Sequence, residues 1–142
     1  GPVPALVQHR AFDLRAPAQQ WEMSEASEGP TFFWLRVRAP LGDDPALHRL
    51  ALTYMSDYGL LATALFRRAM QLKFTEARIA SLDHALWFHD DARVDDWIVF
   101  VTDSPWLGHG RALTRGSFYT RDGRLIASAA QEGMIRRVKP RD

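Results

Sequence analysis

A chain of 142 residues that is 46% hydrophobic and 25% charged has enough apolar material for a core of its own, and residues 1–142 are expected to form one domain. Eighteen Lys+Arg against 17 Asp+Glu leave a net charge of +1, without the positive excess that a nucleic-acid-binding face brings, so nucleic acid is not an expected partner. The absence of cysteine excludes disulfides, thiolate nucleophiles and cysteine zinc sites, and no apolar run approaches the ~18 residues of a membrane span.

Gly1-Pro2 reads as the remnant of a cleaved tag, which puts the natural start at Val3 or earlier. A first strand is expected within residues 5–15. Residues 16–30 carry Pro17, Ser24, Ser27, Gly29 and Pro30 and read as a loop. Thr31 to Arg38, TFFWLRVR, is rich in β-formers and alternates at its end, so it is expected to be a strand. Pro40 to Pro45 is a turn in which Asp43 or Asp44 can cap the element that follows.

That element, residues 45–70, is the longest helical pattern in the chain. Leu47, Leu50, Ala51, Tyr54, Tyr58, Leu61, Ala62 and Leu65 recur three and four apart and form the expected buried stripe of one long helix. Asp57 falls at the edge of the stripe, about 20° from Leu50 on a helical wheel. Ser56-Asp57-Tyr58-Gly59 interrupts the pattern with a cap-type pair and a glycine, which allows a break and a fresh helix start near Ser56. Backbone N–H groups freed there would face a bound anion or carbonyl oxygen.

After Lys73 the period changes to two. Thr75 to His89 alternates as one long strand, with Ser81 and Asp83 on one face and His84 on the other. Asp90-Asp91 marks a turn, Asp96 to Thr102 and Arg111 to Thr120 are further strands, and Asp122-Gly123 is the strongest hairpin signal before Leu125 to Val138. One long central helix wrapped by an antiparallel sheet of about six strands is an α+β hotdog architecture, with another α+β sandwich as the runner-up. A lone hotdog leaves a sheet edge open, so pairing with a second unit is expected.

Several familiar sites are excluded. There is no G-x-S-x-G elbow, Gly108-His109-Gly110 lacks the strand-turn-helix context of a dinucleotide loop, and His84 and His89 are five apart in an expected strand, on opposite faces, which disfavours a metal. What remains is an acid, a hydroxyl and an amide in apolar surroundings: Asp57, Ser81 and Gln131. Each also fits a structural role, as a helix cap, a cross-strand hydrogen bond and a partner for a buried backbone group. Together, without a nucleophile or metal, they suit activation of a water by the acid while the neutral groups hold it and a carbonyl.

At these residues the chain resembles a known family. YMSDYG at 54–59, SLDHALWFHD at 81–90, SPWLGHGRALTRGSFY at 104–119 and DGRLIASAAQEGMIR at 122–136 are similar to the acyl-CoA thioesterase II family, choloyl-CoA hydrolase-like, from about residue 30 onward. The resemblance implies a catalytic Asp, Thr and Gln, falling on Asp57, Ser81 and Gln131, with serine in place of threonine. Serine keeps the hydroxyl and loses a methyl, hence some stiffness. Asp83, His84, Trp87 and His89 belong to the same signature and are assigned to the scaffold. The family carries two hotdogs in one chain, and only the second is matched. A homo-oligomer or a missing N-terminal hotdog is therefore the expected partner.

The function so implied is hydrolysis of fatty acyl-CoA to free acid and CoA, with no cofactor or metal and no covalent intermediate. N–H groups around Tyr58 and Gly59 would polarise the carbonyl, and Arg111, Arg115, Arg136 and Arg137 are candidates for the CoA phosphates. The basic run ending in Arg141 also reads as a solvated tail. The rival reading is a non-catalytic or weakly active hotdog acyl-binding or assembly module, an excised fragment, and a hydratase is disfavoured for want of its Asp/His motif. The chain ends in Pro140-Arg141-Asp142 rather than a peroxisomal tripeptide, which makes a cytoplasmic location the expectation.

Overall fold

The computed structural model describes residues 11–17, 29–67 and 77–138. Gly1-Pro2, the first part of the strand expected at 5–15, most of the loop expected at 16–30, the end of the expected helix at 68–70, the first two residues of the strand expected at 75–89 and the last four residues lie outside them. In chain order the elements are β1 (Phe12–Arg15), β2 (Thr31–Val37), α1 (Pro45–Ser56), α2 (Ala62–Arg67), β3 (Ala77–Ser81), β4 (Ala85–Phe88), β5 (Ile98–Gly108), β6 (Arg111–Thr120) and β7 (Leu125–Arg137). The seven strands make one antiparallel sheet in the order β1-β2-β5-β6-β7-β3, with β4 following β3 along the same edge of β7. Among the described residues seven strands stand where about six were expected. The curled sheet with helices on one face fits the hotdog class, but the described part of the expected long helix, residues 45–67, is two short helices. No described helix is long and apolar enough to cross a membrane.

The period of two decides which strand residues meet the helices. Phe33 and Leu35 of β2, Ile98 and Phe100 of β5, Phe118 of β6 and Ala127 and Ala129 of β7 are buried with Leu52, Met55 and Leu60 in one cluster. Each fully buried Leu or Phe contributes roughly 1.5–3 kcal/mol. Phe100 and Phe118, partners in register, stack with ring centroids 3.9 Å apart. A second cluster joins Leu61, Ala64 and Leu65 to Ala112 and Ile135.

The expected helix is two helices because of one turn. Asp44, extended at φ −70° and ψ 111°, caps α1 by accepting the Ala46 amide at 2.9 Å, while Asp43 binds Arg93 instead. Pro45 follows as the first helical residue, where a missing N–H is harmless. At the other end Gly59 takes φ +81°, a left-handed conformation that costs most L-residues about 1–2 kcal/mol. The turn sends Leu60 into the first cluster and Leu61 into the second. Leu61 can settle there because position 133 is glycine: a Cβ on Gly133 would lie 2.4 Å from its methyls.

The expected buried stripe is split. Leu61 and Leu65 are buried and Ala51, Tyr58 and Ala62 partly so, but Leu47, Leu50 (67% accessible) and Tyr54 (60%) are exposed. On α1 the adjoining strip of His48, Leu52, Met55 and Ser56 faces the sheet. Its polar ends conceal it in the sequence. His48 tolerates burial because both ring nitrogens are used, Nδ1 accepting the Val94 amide at 3.0 Å and Nε2 lying 2.7 Å from the Gly42 carbonyl.

The long strand expected at 75–89 is also divided. Pairing with β7 stops after Ser81 and resumes at Ala85. Between them the Leu82 amide donates to the Glu132 carbonyl at 2.9 Å, and the Asp83 carboxylate accepts the Glu132 amide at 2.7 Å. A side chain thus replaces one rung of the ladder, and the alternation that set Ser81 and Asp83 on a common face does not run through the break. The other expected strands are present, and Gly108-His109-Gly110, with His109 and Gly110 at positive φ, is the β5–β6 hairpin turn.

Candidate active site

Three elements converge where α1 ends. Asp57 is the C-cap of α1, Ser81 the last residue of β3, and Gln131 the middle of β7 on the helix-facing side of the sheet. Gln131 Nε2 donates to Asp57 Oδ1 at 2.9 Å and to Ser81 Oγ at 2.5 Å. Its orientation follows from the carboxylate, since an amide oxygen turned toward Asp57 would set two acceptors against each other. Both amide hydrogens are then committed. Ser81 Oγ is an acceptor in that bond, which leaves its own hydrogen to be given elsewhere.

Burial falls off from floor to rim. Gln131 is 1% accessible, its Oε1 is buried without a hydrogen-bond partner among the described residues, and its backbone carbonyl accepts from Thr114 Oγ1 at 3.2 Å. Ser81 is exposed, and the Asp57 side chain is 65% accessible. The Ser81–Gln131 bond joins β3 to β7, the cross-strand role that sequence allowed, whereas the bond from Gln131 to Asp57 is not one that a helix cap makes. An acid at a helix C-terminus meets the negative end of the helix dipole, unfavourable by about 0.3–1 kcal/mol, so Asp57 does not serve the stability of α1. His84 lies beside the group, its Nδ1 3.9 Å from Asp57 Oδ1 and its Nε2 2.8 Å from Ser56 Oγ. His84, assigned to the scaffold from the sequence, thus contacts the end of α1 beside Asp57 from the fourth position of S-x-D-H.

The candidate substrate residues are distributed differently. The Tyr58 amide, expected to polarise a carbonyl, donates to Met55 O at 3.0 Å. The Tyr58 ring meets Phe12 edge-on at 4.9 Å, and burial, with Tyr54 adding to it, pushes its phenol up from the ordinary value, so it is a neutral hydroxyl. Gly59 forms the turn beside Asp57. Arg111, Arg115 and Arg136 alternate with the buried residues of β6 and β7 and therefore sit on the opposite face of the sheet from Gln131. Arg115 is bound to Asp103 by two contacts of 2.6 and 3.0 Å, and Arg111 reaches Glu132 at 3.4 Å. Arg137 shares the parity of Gln131 but lies six residues along β7, roughly 20 Å away.

A depression of about 510 Å³ on that outer face, lined by Trp87, Val101, Arg115 and Ser128, touches none of the three site residues. It is an open hollow on the face of the sheet opposite Gln131. Among the described residues no group of three His, Asp or Glu side chains is placed to hold a metal.

Residues 9–134 match the acyl-CoA thioesterase family model. Acyl-coenzyme A thioesterase 8 of Mus musculus is 42% identical over 117 residues, which are 82% of this chain and 36% of that protein. Among solved structures, the acyl-CoA thioesterase II TesB2 from Mycobacterium marinum superposes with a TM-score of 0.78 at 37% identity, covering 98% of this chain and 55% of that one. A tesB protein of Mycobacterium avium subs. paratuberculosis gives 0.75 at 27% identity, over 95% and 51%. The chain thus spans little more than a third of the mouse relative's length and about half of each solved chain. With this extent of matching, the chain belongs to the acyl-CoA thioesterase family.

Proposed function

We propose that the chain is one hotdog unit of an enzyme that hydrolyses fatty acyl-CoA to free fatty acid and CoA, with Asp57 as general base and Ser81 and Gln131 as its partners. The observation that carries this reading is the single amide nitrogen of Gln131 bonded to both a carboxylate and a hydroxyl. With both its hydrogens engaged, Gln131 holds the pair rather than the water. A water between them gives a hydrogen bond to Asp57 and receives one from Ser81. Asp57 takes a proton as the water oxygen attacks the thioester carbon, the C–S bond breaks, and the departing thiolate recovers that proton.

The exposed strip Leu47, Leu50 and Tyr54 runs along α1 toward Asp57 and is the wall available to an acyl chain or to a second hotdog that closes the groove. Because the chain spans 36% of the mouse relative, that second unit is either a preceding hotdog or another copy of this chain. Of the candidate phosphate ligands only Arg137 lies on the site's face of the sheet.

Asp57→Asn keeps an oxygen for Gln131 but cannot accept the proton. Thiol release from a panel of acyl-CoAs should fall by at least ~10²-fold, while thermal stability is unchanged or slightly raised by removal of the charge from the helix terminus. Wild-type turnover in that variant would end the proposal. Tight binding of acyl-CoA with no thiol release by the wild-type chain, in whatever assembly light scattering shows, would favour the non-catalytic acyl-binding module.

A further inference from the structure

The connection Leu82–His84 makes contacts that the reaction above does not use. On one side it grips β7: Leu82 and Asp83 hold the carbonyl and the amide of Glu132, the neighbour of Gln131. On the other side His84 reaches the last turn of α1, with Nε2 2.8 Å from Ser56 Oγ. Ser56 is fully buried, and its one hydroxyl hydrogen goes to the Thr53 carbonyl at 2.7 Å. Ser56 Oγ is therefore the acceptor and His84 Nε2 the protonated donor. Asp57, the next residue, has its carboxylate largely in solvent at a helix end, where chains fray.

We propose that His84 is a positioning residue for Asp57: its Nε2–H bond to Ser56 fixes the final turn of α1 and so aims the carboxylate at Gln131 and the attacking water. The segment Ser81–His84 then refers all three site elements to one another. It supplies the hydroxyl itself, clamps β7 through Asp83 and clamps α1 through His84. The proposal rests on Asp57 being the base. It goes beyond that reading by assigning the aim of the base to a bond one residue away, made by a ring nitrogen that touches neither substrate nor water. A misplacement of about 1 Å at such a group is enough to slow a reaction by about 10²-fold.

The test uses the full chain, thiol release, and the variants His84→Ala, His84→Gln, Ser56→Ala and the double variant, with Asp57→Asn beside them. His84→Ala should lower kcat by about 10–100-fold with KM within about twofold of wild type. His84→Gln, whose amide nitrogen can occupy the place of Nε2, should recover most of the loss. Ser56→Ala should resemble His84→Ala, and the double variant should be no slower than either, because one bond is removed in each case. If His84→Ala does not fold, Ser56→Ala carries the test, since it removes one oxygen and leaves the ring. A readout independent of turnover is exchange of the Tyr58 amide, which closes this turn; it should speed up about tenfold in His84→Ala and recover in His84→Gln. A glutamine variant as slow as the alanine one, losses that multiply in the double variant, or unchanged exchange would overturn the proposal. Normal kcat in His84→Ala with Asp57→Asn inactive would overturn it while leaving the base assignment intact; full turnover in Asp57→Asn would overturn both.

Discussion

Replacing Gln131 by methionine removes the amide that joins the site while keeping the length of the side chain and nearly filling its space. The bond to Asp57 is charge-assisted and worth about 1.5–3 kcal/mol net, and the one to Ser81 about 0.5–1.5. Both partners are accessible to solvent, so each exchanges the lost bond for water rather than being left unpaired. Against this, the buried Gln131 Oε1 has no partner among the described residues, and removing an unpaired buried acceptor relieves about 1–3 kcal/mol. These contributions nearly cancel. Gln131→Met should change stability by no more than about 1.5 kcal/mol, a shift of a few degrees in Tm for a chain of this size. Turnover should nevertheless fall by about 10²-fold, because Asp57 and Ser81 lose their common tether. Thermal unfolding followed by circular dichroism, beside thiol release at saturating substrate, reads both quantities on one preparation. A loss above about 3 kcal/mol would show that the amide is a structural link of the core, and unchanged turnover would show that the tether is not needed; either result refutes the reasoning.

Other consequences follow from the same geometry. Gly59→Ala should lower stability by about 1–2 kcal/mol through its φ of +81° alone, since the nearest Phe33 atom stands at an ordinary 3.6 Å; an unchanged unfolding midpoint would mean that the turn relaxes. His48→Phe deprives the Val94 amide and the Gly42 carbonyl of their partner, and chemical denaturation should register a loss of at least ~2 kcal/mol. Asp95 is held below the ordinary carboxylate range chiefly by the Leu41 amide and then by Arg93, with burial opposing. A carboxyl lowered in this way adds stability above its unfolded value, near pH 4, and that stability is lost as pH falls through the lower folded value. Asp95→Asn should therefore be less stable than wild type at neutral pH, and the gap between their Tm values should narrow as pH is taken down through 4 toward 2; a constant gap would contradict the assignment.

Local pattern made much of this molecule legible. Alternation located most of the strands, Asp122-Gly123 the last hairpin, and the cap-type residues before Pro45 the start of α1. The glycine in Ser56-Asp57-Tyr58-Gly59 marked the place where a helix gives way, because only the left-handed region lets the chain turn there. The types of Asp57, Ser81 and Gln131 were also informative, since an acid, a hydroxyl and an amide in apolar surroundings have few uses in common.

What periodicity could not reach is anything that depends on a partner far along the chain. α1 has two apolar strips, and only docking on the sheet chooses the one that carries His48 and Ser56 over the one that carries Leu50 and Tyr54. The break between β3 and β4 exists because Glu132, 49 positions from Asp83, offers its amide to a side chain there. Arg111, Arg115 and Arg136 were separated from the site by sheet parity, which becomes a direction in space only when the inner face is known. Gln131 meets residues 74 and 50 positions away. Sequence by itself determined which residues share a face of their own element; the tertiary structure alone decided which faces meet, because register between distant strands is set by packing and hydrogen-bond closure over the whole sheet.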